Sequence, residues 1–316
     1  MLSRIFSVSS HRAEVVSADA LQVYRHLDIG TAKPGADLLS RIPHHLIDII
    51  DYPESFSVGD FCKRTDEALA GILRRGHLPV ISGGTAYYLK SWLLGMPETP
   101  LSDPRIRSEL ETHWAGKTSE ALKEEILRID PVSARRIGRG DRYRMLRVLE
   151  VYLQTGRPLS SFSVPDSPRE DYNVLSIGLT RERQELYSRI NQRVEEMFSD
   201  GLAAEVAALR RRGASASDPG MKGIGYREWF GKPGDSGEPG EPDPDENRVK
   251  ELIARNSRRY AKRQITFFSS LPDVHWFDAG EDPDSPGGIL MLINTFLHDN
   301  PSLYSIDQEA PHGDNP

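Results

Sequence analysis

Glu14-Val-Val-Ser-Ala-Asp19 and Leu78-Pro-Val-Ile-Ser82-Gly83-Gly84-Thr85 are the two stretches that decide the fold. Each is a short apolar run ending in a polar or glycine-rich turn, the form of a strand buried on both faces of a sheet. Between them, Ser57 to Arg75 carries Phe61, Ala68, Leu69, Ile72 and Leu73 at helical spacing and stops before Gly76. After the second run, Ala86 to Leu94 reads as a helix closed by Gly95. Strand, loop, helix, strand, helix is a parallel βα pattern, so the class is α/β. In such sheets ligands gather at the carboxyl ends of strands, where both Asp19 and Thr85 fall.

Outward from this core, the pattern from about Ser102 to Phe162 is helical and charged, with breaks at Asp130-Pro131 and Gly156-Arg-Pro158. It predicts a helical insertion. A strand-like Tyr172-Asn-Val-Leu-Ser-Ile-Gly-Leu179 then returns to the sheet, followed by helices from Arg181 to about Gly201 and on to Gly213. Gly231 to Glu246 is rich in Gly, Pro and acids, the composition of a mobile loop. A long basic helix, about Asn247 to Phe268, precedes a short strand, Val274 to Phe277. The expected division is therefore 1–101 for the first part of the core, 102–170 for the insertion and 171–300 for the second part. The loop at 231–246 and the basic helix at 247–268 belong to that second part, and a disordered tail follows at 301–316.

The 316 residues are 38% apolar and 28% charged, enough for a sizeable core. No run of about 18 apolar residues occurs, and the first ten residues lack a secretory h-region, so a soluble, cytoplasmic protein without a membrane partner is expected. A single cysteine, Cys62, excludes an internal disulfide framework and a Cys-rich zinc site, and reads as a small buried residue. The net charge of -7 at first opposes a nucleic-acid partner. Its distribution reverses that: Arg248 to Arg263 holds seven basic residues against Glu251, and Arg135 to Arg147 six against Asp141. Two such stretches fit a locally bound polyanion, and they equally fit solvated helix faces.

A carboxylate at a strand end, Asp19, suits a general base, although a lone Asp after a strand is more often a cap. The Gly83-Gly84-Thr85 turn lets a ligand approach the backbone at a helix N-terminus. In Ile29-Gly-Thr-Ala-Lys33 a glycine turn, a hydroxyl and a lysine are set to meet an anion. His44 and His45 lack supporting ligands at metal spacing, and Tyr87, Tyr88 and Trp92 read as core.

Four segments, taken together, resemble the tRNA dimethylallyltransferase family in order and spacing. They are Ser17-Ala-Asp19-Ala-Leu-Gln22-Val-Tyr24 with Asp28-Ile-Gly-Thr-Ala-Lys33, Pro43-His-His-Leu-Ile-Asp48, and Ile81-Ser-Gly-Gly-Thr85-Ala-Tyr-Tyr88. The match continues through Asp141-Arg-Tyr-Arg144-Met-Leu-Arg147-Val-Leu-Glu150, Lys222-Gly-Ile-Gly225-Tyr226-Arg227 and Tyr260-Ala-Lys-Arg-Gln264-Ile-Thr266-Phe, so it spans roughly Glu14 to Asp278. The resemblance implies a P-loop NTPase-like parallel sheet with a mostly helical insertion that clamps the anticodon stem. It implies transfer of a dimethylallyl group from dimethylallyl diphosphate to the exocyclic amine of the adenosine beside the anticodon, with Mg2+ as cofactor, by a monomer. Asp19 would take the proton and Thr85 would hydrogen-bond the diphosphate. Ala20, Leu21 and Gln22 would grip the base, and Lys33 and Arg193 would bind substrate. The tRNA would meet Tyr143, Arg144, Met145, Leu146 and Arg147; then Lys222, Gly223, Ile224, Gly225, Tyr226 and Arg227; then Lys262, Arg263, Gln264, Ile265 and Thr266.

Two departures stand out. The family opens with a strand and a Walker A loop, Gly-x-x-x-x-Gly-Lys-Ser/Thr, and no such motif occurs here; Met1-Leu-Ser-Arg-Ile-Phe resembles the helix after that loop. The expectation is a start upstream of Met1, with a catalytically impaired tRNA-binding protein as the alternative. Ala20 stands where the family has Ser, a loss of about 1 kcal/mol in local contacts.

Overall fold

The computed structural model describes residues 12–138, 140–162, 167–230, 245–280 and 288–300. The expected loop at 231–246, save its last two residues, the tail at 301–316 and the segment at 1–6 lie outside them. By its contacts the chain forms two units, Ser91–Arg169 and the remainder.

In the larger unit, β1 (Ala13–Ser17) is buried at all five positions. It is the middle strand of a parallel trio, flanked by β2 (His44–His45) and β3 (Leu78–Ser82). A six-residue helix, α1 (Ala36–Arg41), precedes β2. Neither had a sequence signal: two residues carry no periodicity, and β2 exists because Val15 and Val16 pair with His44 and His45. Helix α2 (Val58–Arg74) connects β2 to β3. Ser57 and Asp60 form a capping box at its start, and Phe61, Thr65, Leu69 and Ile72 make its buried face. The register of β1 and β3 runs from Ala13 opposite Leu78 to Ser17 opposite Ser82, so the two strands end level. Helix α3 (Ala86–Leu94) follows, its residues from Ser91 on counted with the smaller unit; in it Tyr88 and Trp92 are core, but Tyr87 is 58% exposed, contrary to the expectation.

The strand expected at Tyr172–Leu179 is β4 (Ser176–Thr180), which among the described residues pairs with none of the first three strands. Among the described residues it pairs in parallel with β5 (Val274–Asp278), while β3 pairs with β1 alone. Helices α8 (Arg183–Ser199), α9 (Leu202–Arg211) and α10 (Glu246–Phe268) pack through Val194, Leu202, Val206, Val249 and Ile253 around Tyr226 and Trp229. The helix α11 (Ile289–Asp299) was not expected, although Gly288 and the apolar residues at helical spacing after it were a readable signal.

The smaller unit holds α4 (Pro104–Trp114), α5 (Ser119–Ile129), α6 (Pro131–Arg136) and α7 (Arg142–Thr155). Asp103, Thr118, Asp130 and Asp141 cap them. Its core joins Leu110, Trp114, Leu122, Ile126, Met145, Leu146, Val148 and Leu149. Buried Asp130 accepts from the amides and hydroxyls of Ser133 and Ser160, which together hold its carboxyl below the usual range against the opposing effect of burial.

Candidate active site

The level ends of β1 and β3 are tied by backbone. The Ala18 amide donates to Ser82 O at 2.8 Å, and the Thr85 amide donates to Ala18 O at 3.1 Å. This crossing leaves no room for a side chain on Gly83, whose Cβ would lie 2.3 Å from Ala18 O. Thr85 Oγ1 in turn accepts from the Ala20 amide at 3.0 Å. Asp19 therefore sits between two residues bonded to Thr85, and the two expected catalytic residues stand together at the strand ends.

Asp19 Oδ1 accepts from the amides of Leu21 (2.8 Å) and Gln22 (3.2 Å), an Asx-type cap of the following turn. Its other oxygen has no hydrogen-bond partner among the described residues. The cap and the base are thus compatible roles, one for each oxygen. Arg193, on α8, faces Asp19 electrostatically. The protein wall around its guanidinium lowers its pKa although the residue as a whole is solvent-open, and the charges of Asp19 and Glu196 act the other way. Tyr260, on α10, also faces Asp19: burial pushes its phenol up and the Asp19 charge adds to this, while Gln264, Thr85 and Arg263 oppose it.

The donors of the expected anion-binding loop have partners within the chain. Its amides at Asp28, Ile29 and Gly30 donate to Glu205 at 3.1, 2.8 and 3.2 Å, and the Thr31 hydroxyl donates to Leu27 O at 2.7 Å. The Lys33 ammonium spends its three protons on Asp28 (2.5 Å), Asp48 (2.5 Å) and Tyr24 O (3.0 Å), and its side chain is 5% exposed. That network holds a loop in which Ala32, Leu46 and Asp48 adopt positive φ. Gln22 is also engaged, accepting from Ser17 (3.0 Å) and donating to the carbonyls of Thr31 and Ala32. Ala20 and Leu21 are half-buried, Leu21 lying against Gly223. His45 Nε2 donates to the Glu14 carboxylate at 2.6 Å, and His44 Nδ1 donates to Ile42 O. Among the described residues no group of three His, Cys, Asp or Glu is poised to hold a metal.

Of the stretches expected at tRNA, only parts present their side chains. In the smaller unit Tyr143 and Arg144 are exposed, with Arg107 stacked 4.4 Å from the Tyr143 ring. Met145 and Leu146 are core residues, and Arg147 is paired with buried Glu150 at 3.0 Å. In the larger unit Lys222 and Arg227 are exposed, Gly223 and Ile224 half-buried, and Gly225 buried. Tyr226 is fully buried, its hydroxyl donating to Glu205 at 2.7 Å. On α10, Lys262, Arg263, Ile265 and Thr266 are exposed, whereas Gln264 turns inward and donates to Gly84 O at 2.7 Å. Nothing in the local pattern distinguished Gln264 from its neighbours.

The IPP transferase family model matches residues 22–271. The tRNA dimethylallyltransferase of Geobacter sulfurreducens is 40% identical over 279 residues, 88% of this chain and 88% of its own. The full-length tRNA isopentenylpyrophosphate transferase of Bacillus halodurans superposes with a TM-score of 0.62 at 35% identity, covering 92% of this chain and 90% of that one. A eukaryotic dimethylallyltransferase acting on tRNA superposes with a TM-score of 0.73 at 23% identity, over 98% and 76% of the two chains, a likeness of fold. Fold and likenesses define a transferase enzyme of the tRNA-prenylating class on a P-loop NTPase-like α/β core. The chain belongs to the IPP transferase family.

Proposed function

We propose that the chain transfers a dimethylallyl group from dimethylallyl diphosphate to the exocyclic amine of the adenosine on the 3′ side of a tRNA anticodon. The amine lone pair attacks the first carbon of the isoprenoid, and the carbon–oxygen bond breaks with its electron pair leaving on pyrophosphate. Asp19 accepts the proton that the amine must lose. The observation that carries the reading is the free oxygen of Asp19, fixed by two amides through its other oxygen and set beside Thr85. Arg193 opposes the negative charge that grows on the leaving diphosphate, and the Thr85 hydroxyl, which accepts from Ala20, keeps its own proton to donate there.

Mg2+ supplies further charge neutralisation when bound with the diphosphate. The oxygen donors here, Asp19 and Thr85, suit a hard cation held chiefly through substrate phosphates, the usual Mg2+ arrangement. The adenosine leaves its stack to reach the cleft. Exposed Tyr143, Arg144, Lys222, Arg227, Lys262 and Arg263 contact the RNA, chiefly at phosphates.

Purified protein incubated with tRNA and dimethylallyl diphosphate tests this: isopentenyladenosine in the digested tRNA supports transfer, and tight tRNA binding with no product overturns it.

A further inference from the structure

Helix α10 reaches the cleft with two side chains whose role the reaction above does not use. The Tyr260 hydroxyl donates to Gly84 O at 2.9 Å, and Gln264 Nε2 donates to the same oxygen at 2.7 Å. One carbonyl thus accepts two hydrogen bonds from residues one helical turn apart, across about 180 positions of sequence. The approach is close: a Cβ on Gly84 would fall 2.2 Å from Gln264 Nε2. The next residue is Thr85, whose oxygen accepts from the Ala20 amide.

We infer that Tyr260 and Gln264 are positioning residues that lock the Gly83-Gly84-Thr85 turn and so aim the Thr85 proton at the leaving group; this rests on the transfer reaction proposed above. Gln264 then serves the cleft and does not contact tRNA. The lock also couples the basic helix to the cleft, because RNA held by Lys262 and Arg263 on that helix steadies the same turn.

Three substitutions test this: Tyr260→Phe, Gln264→Ala and Gly84→Ala. Single-turnover transfer is expected to fall about tenfold for each of the first two, the effect of one lost hydrogen bond to a reacting-group support. The tRNA dissociation constant and the melting temperature are expected to stay near wild type. Gly84→Ala displaces Gln264 and is expected to cost as much alone, yet to add nothing in a Gln264→Ala background, since the contact is already gone. Equal loss of rate and tRNA affinity in Gln264→Ala would overturn the inference in favour of an RNA contact, and transfer within twofold of wild type in both Tyr260→Phe and Gln264→Ala would overturn it outright. Wild-type protein that makes no product sinks the reaction instead. The lock is then still read from amide exchange at residues 83–86, which must quicken in both variants for it to stand.

Discussion

Strand β1 carries a carboxylate at each end, and the two are opposites. Glu14, at its start, is 3% exposed and saturated: Arg75 donates to both its oxygens at 2.9 and 2.7 Å, with His45 at 2.6 Å and His77 at 2.7 Å. These partners, Arg75 foremost, outweigh burial and hold its carboxyl down to about 2. Asp19, two residues past the end of the strand, has one oxygen bound by two amides and the other without a partner among the described residues. A carboxylate with every lone pair engaged is fixed structure; one with an oxygen to spare at a strand mouth is available for chemistry. The same division separates Lys33, whose three protons are engaged, from exposed Lys222 and Lys262.

The sharpest way to break this comparison is to neutralise each acid. Asp19→Asn is expected to slow prenyl transfer by roughly 10² to 10⁴ while leaving tRNA affinity and thermal midpoint in place; a filter-binding loss as large as the rate loss would make Asp19 a binding group. Glu14→Gln is expected to do the reverse. It costs about 3 kcal/mol in urea unfolding, because Arg75 and two histidines lose their anion, and leaves the rate per folded molecule alone.

A titration sharpens the contrast. Because the Glu14 carboxyl ionises at about 2 when folded and near 4.5 ordinarily, its contribution is fully present above about pH 4.5 and is lost as pH falls toward 2. The stability gap between wild type and Glu14→Gln is expected to narrow steadily from pH 5 to pH 3; a constant gap would mean that the charge of Glu14 is not what stabilises.

Lys33→Met leaves Asp28 and Asp48 without their shared cation and is expected to cost about 1–3 kcal/mol, with pyrophosphate affinity unchanged in calorimetry. Weaker pyrophosphate binding at wild-type stability would return Lys33 to the ligand. The smallest effect belongs to Lys222→Ala or Lys262→Ala: each is expected to weaken tRNA binding uniformly across sequences and to reduce its salt slope by about 1.

Much of this was legible in the chain. Leu78–Ser82 was read residue for residue, and the helices at 57–75 and 247–268 to within two residues, because caps, periodicity and breakers are local signals. The Gly-Gly-Thr turn and Asp19 were read at strand ends, and backbone bonds bring them together. The amides of the expected anion loop meet the chain's own Glu205, more than 170 residues away, a partner no local pattern announces. Met145 and Leu146 lie within a basic stretch, and charge density says nothing about which residues in such a stretch point inward.

By itself the sequence determined the order of βα elements, the family, and which residue types stand at the mouths of β1 and β3. Only the tertiary structure decided which of those polar groups are free. Availability depends on partners brought from far along the chain: Arg75 and His77 to Glu14, Asp48 to Lys33, Gln264 to Gly84. Local pattern fixes where a side chain starts; long-range packing fixes what meets its last atom, and the chemistry resides in that atom.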